Sequence, residues 1–176
     1  MDELSTNNAY YVKGPMGKGL QIQPNGIHVA FCAGTGALVF LDLVSHLLIK
    51  NCFESDGKKL PNEMATMYQH DFKFYLYASF QDRDQAIGLD VIEKLEQVNQ
   101  KLGLHNFKAV IRLSVTDGPK LPRWTPEYVE KQLQPLAGQV KRVWVCGPPT
   151  MNEMFDKTLA LIGHKIQLDK SSVEIM

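Results

Sequence analysis

The sequence predicts a doubly wound α/β fold, with helices covering both faces of a parallel sheet. Three observations carry this. Short, nearly continuous apolar runs of strand length recur along the chain, as expected of central strands buried on both sides. Each is followed by apolar residues at helical spacing, and turns rich in glycine and proline separate the two patterns. Alternation of this kind places each crossover helix against the sheet.

The elements follow in order. Gly14-Pro15-Met16-Gly17-Lys18-Gly19-Leu20 cannot form a helix interior and leads through Gln21-Ile22-Gln23 to a turn at Pro24-Asn25-Gly26, so it reads as a connector. Ile27-His28-Val29-Ala30-Phe31-Cys32-Ala33 is the first strand, stopped by Gly34-Thr35-Gly36. Leu38, Leu41, Val44, Leu47 and Leu48 then mark a helix from Ala37 to Lys50 that stops near Asn51. The polar segment from Glu54 to Asp71 is expected to lie away from the core, with a short helix at Glu63 to Tyr68. Phe72 to Ser79 is the second strand, and Val91, Leu95, Val98 and Leu102 share one face of a helix ending at Gly103. Lys108 to Val115 is the third strand. After the loop carrying Gly118, Pro119 and Pro122, Thr125 and Pro126 supply an N-cap and a first-turn proline for a helix through about Leu136. Lys141 to Cys146 is the fourth strand. Thr150 and Glu153 have capping-box spacing for a helix carrying Met151, Met154, Phe155, Leu159 and Ile162 and ending at Gly163, before a last strand near Lys165 to Leu168.

Composition narrows the function classes. The chain has 176 residues, 44% of them hydrophobic, enough for one domain with a real core. Nineteen basic and nineteen acidic residues are interspersed, which leaves no electrostatic footprint for nucleic acid or an anionic membrane. The apolar stretches are interrupted by Asp42, Ser45 and His46 or are strand-sized, shorter than the ~20 residues a bilayer span needs, and Met1-Asp2-Glu3-Leu4 lacks a signal pattern. Cys32, Cys52 and Cys146 are odd in number and widely spaced, which suits reduced thiols in a cytoplasmic setting or at the cytosolic face of a membrane. The five histidines lack metal-ligand spacing, and no Gly-x-Ser-x-Gly elbow or Gly-x4-Gly-Lys-Ser/Thr loop occurs.

Two strand ends carry chemistry. In an open doubly wound sheet, ligands lie outside the carboxyl ends of the strands, where the strand order reverses. Gly34-Thr35-Gly36 lacks the side chains that would keep a diphosphate from the backbone N–H groups at the positive end of a helix. Cys146-Gly147-Pro148-Pro149-Thr150-Met151 is a rigid diproline step between an apolar strand and a helix start. A glycine pair after a strand also serves merely as a tight turn, and a diproline merely as a helix start.

Taken together, Gly14-Pro15-Met16-Gly17, Ala33-Gly34-Thr35-Gly36 and Cys146-Gly147-Pro148-Pro149-Thr150-Met151 resemble, in this order, the nicotinamide-nucleotide domain of the ferredoxin reductase superfamily, cytochrome b5 reductase in particular. The resemblance runs from about Gly14 to Gly163. It implies a five-stranded sheet of order 3-2-1-4-5, with Gly34, Thr35 and Gly36 against a pyrophosphate. Cys146 would take the catalytic position beside the nicotinamide, with Gly147, Pro148, Pro149 and Met151 around it. It also implies hydride transfer from nicotinamide C4 to flavin N5, in which the cofactors carry the step and the protein aligns them. Family members hold FAD with an Arg-x-Tyr-Ser/Thr motif. None of Arg83, Arg112, Arg123 or Arg142 begins one, so the FAD is expected from a flavin-binding domain outside this chain or from a separate chain, and an electron acceptor protein or domain from elsewhere. The expected organisation is a connector over residues 1–26, a nucleotide-binding domain over 27–170 and a tail over 171–176. The isolated chain should bind the nucleotide without turnover.

Cofactor choice is expected after the second strand, around Ser79 and Phe80. There Asp82 resembles the acceptor of the NADH 2′-hydroxyl, while Arg83 would answer the 2′-phosphate of NADPH; the reading leans to NADH. Tyr10, Tyr11 and Trp124 are further candidates for the cleft wall. Two departures from the family stand out: Val39 replaces a common proline after the glycine turn, and the last residues, Ser171-Ser172-Val173-Glu174-Ile175-Met176, lack the aromatic residue that often covers the flavin. An S-adenosylmethionine methyltransferase, whose ligand also suits an Ala-Gly-Thr-Gly turn, and a non-catalytic binding module are the alternatives.

Overall fold

The computed structural model describes residues 18–117 and 124–176. Gly14-Pro15-Met16-Gly17, Tyr10 and Tyr11, and the loop with Gly118, Pro119 and Pro122 lie outside the described residues. Strand β1 (Ile27–Ala33) runs into a 3₁₀ turn (Gly34–Ala37) and helix α1 (Leu38–Ser55). After α2 (Asn62–Met67) come β2 (Lys73–Phe80), α3 (Leu89–Leu102), β3 (Phe107–Leu113), α4 (Ser114–Asp117) and α5 (Pro126–Leu133). The chain ends with β4 (Val140–Cys146), α6 (Pro149–Ile162) and β5 (Val173–Ile175). The sheet is parallel, in the order β3-β2-β1-β4-β5.

Side-chain alternation sorts the core into two layers, as a pleated sheet requires. Ala30, Cys32, Phe74, Leu76, Ala78 and Trp144 face α1 and α3. Val29, Phe31, Tyr77, Val143 and Val145 face α5 and α6. Helix α1 presents Phe40, Leu43, Val44 and Leu47 to the sheet, all at 2% exposure or less, and each such burial is worth roughly 1.5–3 kcal/mol. With the preceding 3₁₀ turn, it makes a helical stretch of 22 residues, long and apolar enough by composition to cross a bilayer, which the sequence reading had not anticipated. Here its apolar side is the core of the sheet's first layer.

Several boundaries differ from expectation for identifiable reasons. Helix α1 runs beyond Asn51 because that side chain does not cap: its amide donates to Asn99 on α3 and to Asn106, and Asn106 donates back to Asn51. Tyr68, expected outside the core, is buried at 2% and packs edge-on against Phe72. Ser114 and Val115 leave the third strand for α4, where the Asp117 carboxylate accepts the Leu113 N–H and closes the strand end. The capping box at Thr150 and Glu153 does not form; α6 starts at Pro149, and the Pro148 carbonyl accepts the N–H groups of Met151 and Asn152. The last strand is Val173–Ile175 rather than Lys165 to Leu168. Ile166 and Leu168 imitate a strand by alternation but plug the second core layer from a loop that turns through Gln167 at positive φ. Val173 and Ile175 instead pair with Val143 and Val145, so part of the expected tail lies in the sheet.

Candidate functional site

The carboxyl ends of the four longer strands align along one edge: Cys32 pairs with Cys146, Ala33 with Ser79, and Phe80 with Leu113. The reversal of strand order falls between β1 and β4, the two strands followed by the motif turns. These turns touch. A side chain at Gly36 would collide with the Cys146 carbonyl and come within 3.2 Å of its Sγ, so glycine alone permits the approach. A Cβ at Gly147 would lie 3.5 Å from Ala33 Cβ and 2.6 Å from Met151 Sδ, which shows how closely the second turn folds over the end of β1.

Gly34 sits at φ +56°, open to solvent, where a side chain would be strained without meeting any neighbour. No side chain caps the turn, and no acidic residue stands in its first turn or that of α1, so among the described residues no carboxylate of these turns offsets the partial positive charge of the N–H groups there. Cys146 carries its thiol beside Gly36, and burial raises its pKa above the ordinary thiol range. Cys32, fully buried on the neighbouring strand, is raised further by burial and by Cys146. Both stay protonated at neutral pH, so what Cys146 offers a ligand is shape and a weak S–H donor rather than a thiolate.

A cleft of about 940 Å³ opens along this edge. Ala33, Ser79, Phe80 and Leu113 line it from the strand ends, and Pro148, Thr150, Met151 and Met154 from the start of α6. Trp124 forms a further wall. Gln81, Arg112, Ser114, Val115 and Asp117 add a polar side that the sequence reading did not single out. Arg112 is 7% exposed, its guanidinium 4.7 Å from the Trp124 ring centre and 5.6 Å from that of Tyr128. One signal for it was available: a cation directly after the apolar run Ala109-Val110-Ile111, one residue before the strand end.

Of the residues anticipated from sequence, Ser79, Phe80, Pro148 and Met151 line the cleft, and Gly34, Thr35, Gly36, Cys146, Gly147 and Pro149 belong to the two apposed turns. Asp82 and Arg83 are not among its walls. Asp82 Oδ1 accepts the Gln85 N–H at 2.9 Å and shapes the loop after β2, while Arg83 makes two bonds of 2.8 Å to the Glu93 carboxylate on α3. Among the described residues, no group of histidine, cysteine and acidic side chains could hold a metal ion.

No protein-family model and no curated protein matches the sequence. Solved structures do match. The CS-b5R domains of human Ncb5or, solved in the NAD⁺ form, superpose with a TM-score of 0.59 at 16% identity over 93% of this chain and 39% of that one. Ferredoxin-NADP⁺ reductase from Plasmodium falciparum, solved with 2′P-AMP, gives 0.58 at 13% identity over 96% of this chain and 57% of that one. Flavohemoglobin from Malassezia yamatoensis, with bound FAD and heme, gives 0.56 at 15% identity over 89% and 33%. The chain therefore spans about a third to just over half of the structures it matches. Strand order, apposed turns and structural matches agree: this chain has the fold of the nucleotide-binding half of the ferredoxin reductase superfamily.

Proposed function

We propose that this chain binds a nicotinamide nucleotide across the carboxyl edge of its sheet and presents it to a flavin held by another domain or chain. The observation that carries this reading is the contact of the two motif turns, with Gly36 against the Cys146 carbonyl. A diphosphate on the open N–H groups of Gly34 to Gly36 would leave one end of the nucleotide beside Cys146, Gly147 and Pro148 and the other in the cleft under Phe80 and Trp124. When bound, the dihydronicotinamide supplies a hydride from C4 to flavin N5.

The chain's own contribution is positional. The absence of a side chain at Gly36 lets the two turns close on one another at the switch point, and Pro148 and Pro149 hold the second turn in one conformation. The neutral thiol of Cys146 places no competing charge beside the reacting carbon. No Arg-x-Tyr-Ser/Thr motif occurs, so the residues present do not suit FAD, and the flavin domain and the electron acceptor belong to this proposal as partners. A reducing compartment is its proposed setting, consistent with three free cysteines.

Isothermal titration of the chain with NADH, NADPH and S-adenosylmethionine tests the reading. A nicotinamide nucleotide should bind, and Gly36→Val should abolish that binding while circular dichroism still reports a folded chain. Tight binding of S-adenosylmethionine would favour the methyltransferase alternative. Unchanged nucleotide affinity in Gly36→Val would refute the proposed geometry.

A further inference from the structure

We infer that Cys32 and Cys146 are a dithiol pair that a hydroperoxide converts to a disulfide across β1 and β4, and that this bond loosens the nucleotide site. The bond stands on the sheet geometry alone, while its effect on a ligand rests on the nucleotide-binding reading above.

Register brings the two cysteines together. Remote in sequence, they are opposite one another in the parallel ladder of β1 and β4. Neighbouring strands lie ~4.8 Å apart, inside the range of about 4.4–6.8 Å between the Cα atoms of a disulfide. Both side chains are on one face of the sheet: Cys32 belongs to the core layer under α1, and Cys146 packs against that layer. Cys32 is fully buried and Cys146 only half-buried, so an oxidant meets Cys146 first. Cys52 stands outside this pairing. It lies on α1 about 20 Å along the helix axis from its start, whereas the Cys146 thiol is beside Gly36, just before that start.

The chemistry balances with one hydroperoxide. The Cys146 sulfur takes the terminal oxygen, the O–O bond breaks, and an alcohol leaves, or water where the oxidant is hydrogen peroxide. The Cys32 sulfur then attacks the resulting sulfenic acid: the S–S bond forms, the S–O bond breaks, and the hydroxyl leaves as water with the Cys32 proton. Two thiols lose two electrons in all, and these reduce the hydroperoxide. Burial holds both thiols neutral at neutral pH, so the pair answers sustained oxidant rather than traces.

The Cβ atoms of a disulfide stand about 3.8 Å apart, closer than the strand spacing, so the bond draws the two strand ends together. Cys32 is held between β2 and β4, whereas Cys146 ends its strand, beyond the ladder to β5 and before a glycine, so Cys146 is the one that moves. Its carbonyl is what Gly36 packs against, and the movement therefore disturbs the contact of the two turns that the nucleotide spans. The same strain makes the bond easy to reduce, as suits a reversible disulfide in a reducing compartment.

Intact mass and peptide mapping of the full chain after exposure to hydrogen peroxide read the bond directly. The chain should lose two hydrogen atoms, with the Cys32 and Cys146 peptides joined and Cys52 outside the link, and dithiothreitol should restore the original mass. Calorimetric titration with NADH and NADPH should show severalfold weaker binding to the oxidised chain, recovered on reduction. Cys52→Ser should form the link as wild type does, whereas Cys32→Ser should accumulate sulfenic and sulfinic acid at Cys146. A link through Cys52, or oxygen added to Cys146 of the wild-type chain without a link, overturns the inference. A link between Cys32 and Cys146 that leaves nucleotide affinity unchanged overturns the loosening of the site. Nucleotide binding by neither form overturns the nucleotide reading and the loosening with it, while the bond is judged by mass alone. Because the decisive mapping uses the wild-type chain, the outcome does not depend on any variant folding.

Discussion

Arg112 and Arg142 make an instructive pair: two arginines on strands of one sheet, 7% and 8% exposed, set in different surroundings. Arg142, on β4, donates to the Ser171 carbonyl at 2.7 Å and to Gln21 Oε1 at 2.6 Å, and lies 3.4 Å from Glu174. Next to it, Trp144 Nε1 donates to the Leu20 carbonyl, and His28 Nε2 accepts the Gln23 N–H. The three side chains bind the connector over residues 20–23 to the sheet, and Arg142 joins it to the last strand; Gln21 is held there at φ +48°. Arg112, on β3, instead lies over two aromatic rings in the wall of an open cleft. One ties the connector to the last strand through protein acceptors, whereas the other rests on aromatic rings at the wall of the cleft.

The strongest probe of that contrast is Arg142→Met. It strands the Gln21 amide oxygen and the Ser171 carbonyl, and should cost roughly 3–4 kcal/mol in urea unfolding while the folded fraction binds nucleotide as before. Loss of affinity at intact stability would show that the division of roles is false.

Next comes acid. His28 is sandwiched between Phe72 and Trp144, at ring distances of 4.7 and 5.5 Å. Burial first, with Arg142 and Lys141 adding to it, lowers its pKa from 6.5 to about 4. Between those values the unfolded chain takes up a proton that the folded chain refuses, so stability falls as pH drops from about 6.5 to about 4 and this contribution levels off below. The loss should reach about 3 kcal/mol. Urea midpoints for wild type and His28→Gln across that window should diverge only through this slope. Parallel curves would remove His28 from the clamp.

On the cleft side, Trp124→Leu should cost about 2 kcal/mol, since the ring meets Phe31 and Tyr128 as well as Arg112, and should weaken nucleotide binding severalfold. A thermal melt and a titration measure the two effects separately. The smallest effect is expected from Thr125→Ala, which removes the hydroxyl that accepts the Tyr128 N–H at the start of α5. About 1 kcal/mol should be lost, with nucleotide affinity unchanged.

Much of this was legible before folding. The first strand, Ile27–Ala33, is bounded as its apolar run and glycine stop predict, and Thr125 caps its helix as its position before Pro126 implies. The apposition of the two turns followed from their resemblance to known turns. The polar wall of the cleft did not. Asp82 and Arg83 stand where a cofactor-selecting pair is expected, yet the loop geometry gives one to a backbone N–H and the other to Glu93. Local sequence holds no record of such partners, because they are chosen by groups brought close only when β2 and α3 pack.

The sequence by itself determined the alternation of strands and helices, the layer each side chain faces and the two glycine-bearing strand ends, because periodicity and backbone freedom are properties of neighbouring residues. Tertiary structure alone decided that Ile166 and Leu168 plug a core layer while Val173 and Ile175 join the sheet, and that Arg142 closes a clamp while Arg112 lines a cleft. An apolar alternation or a buried charge has its energy set by what lies across from it, and that is known only once distant segments meet.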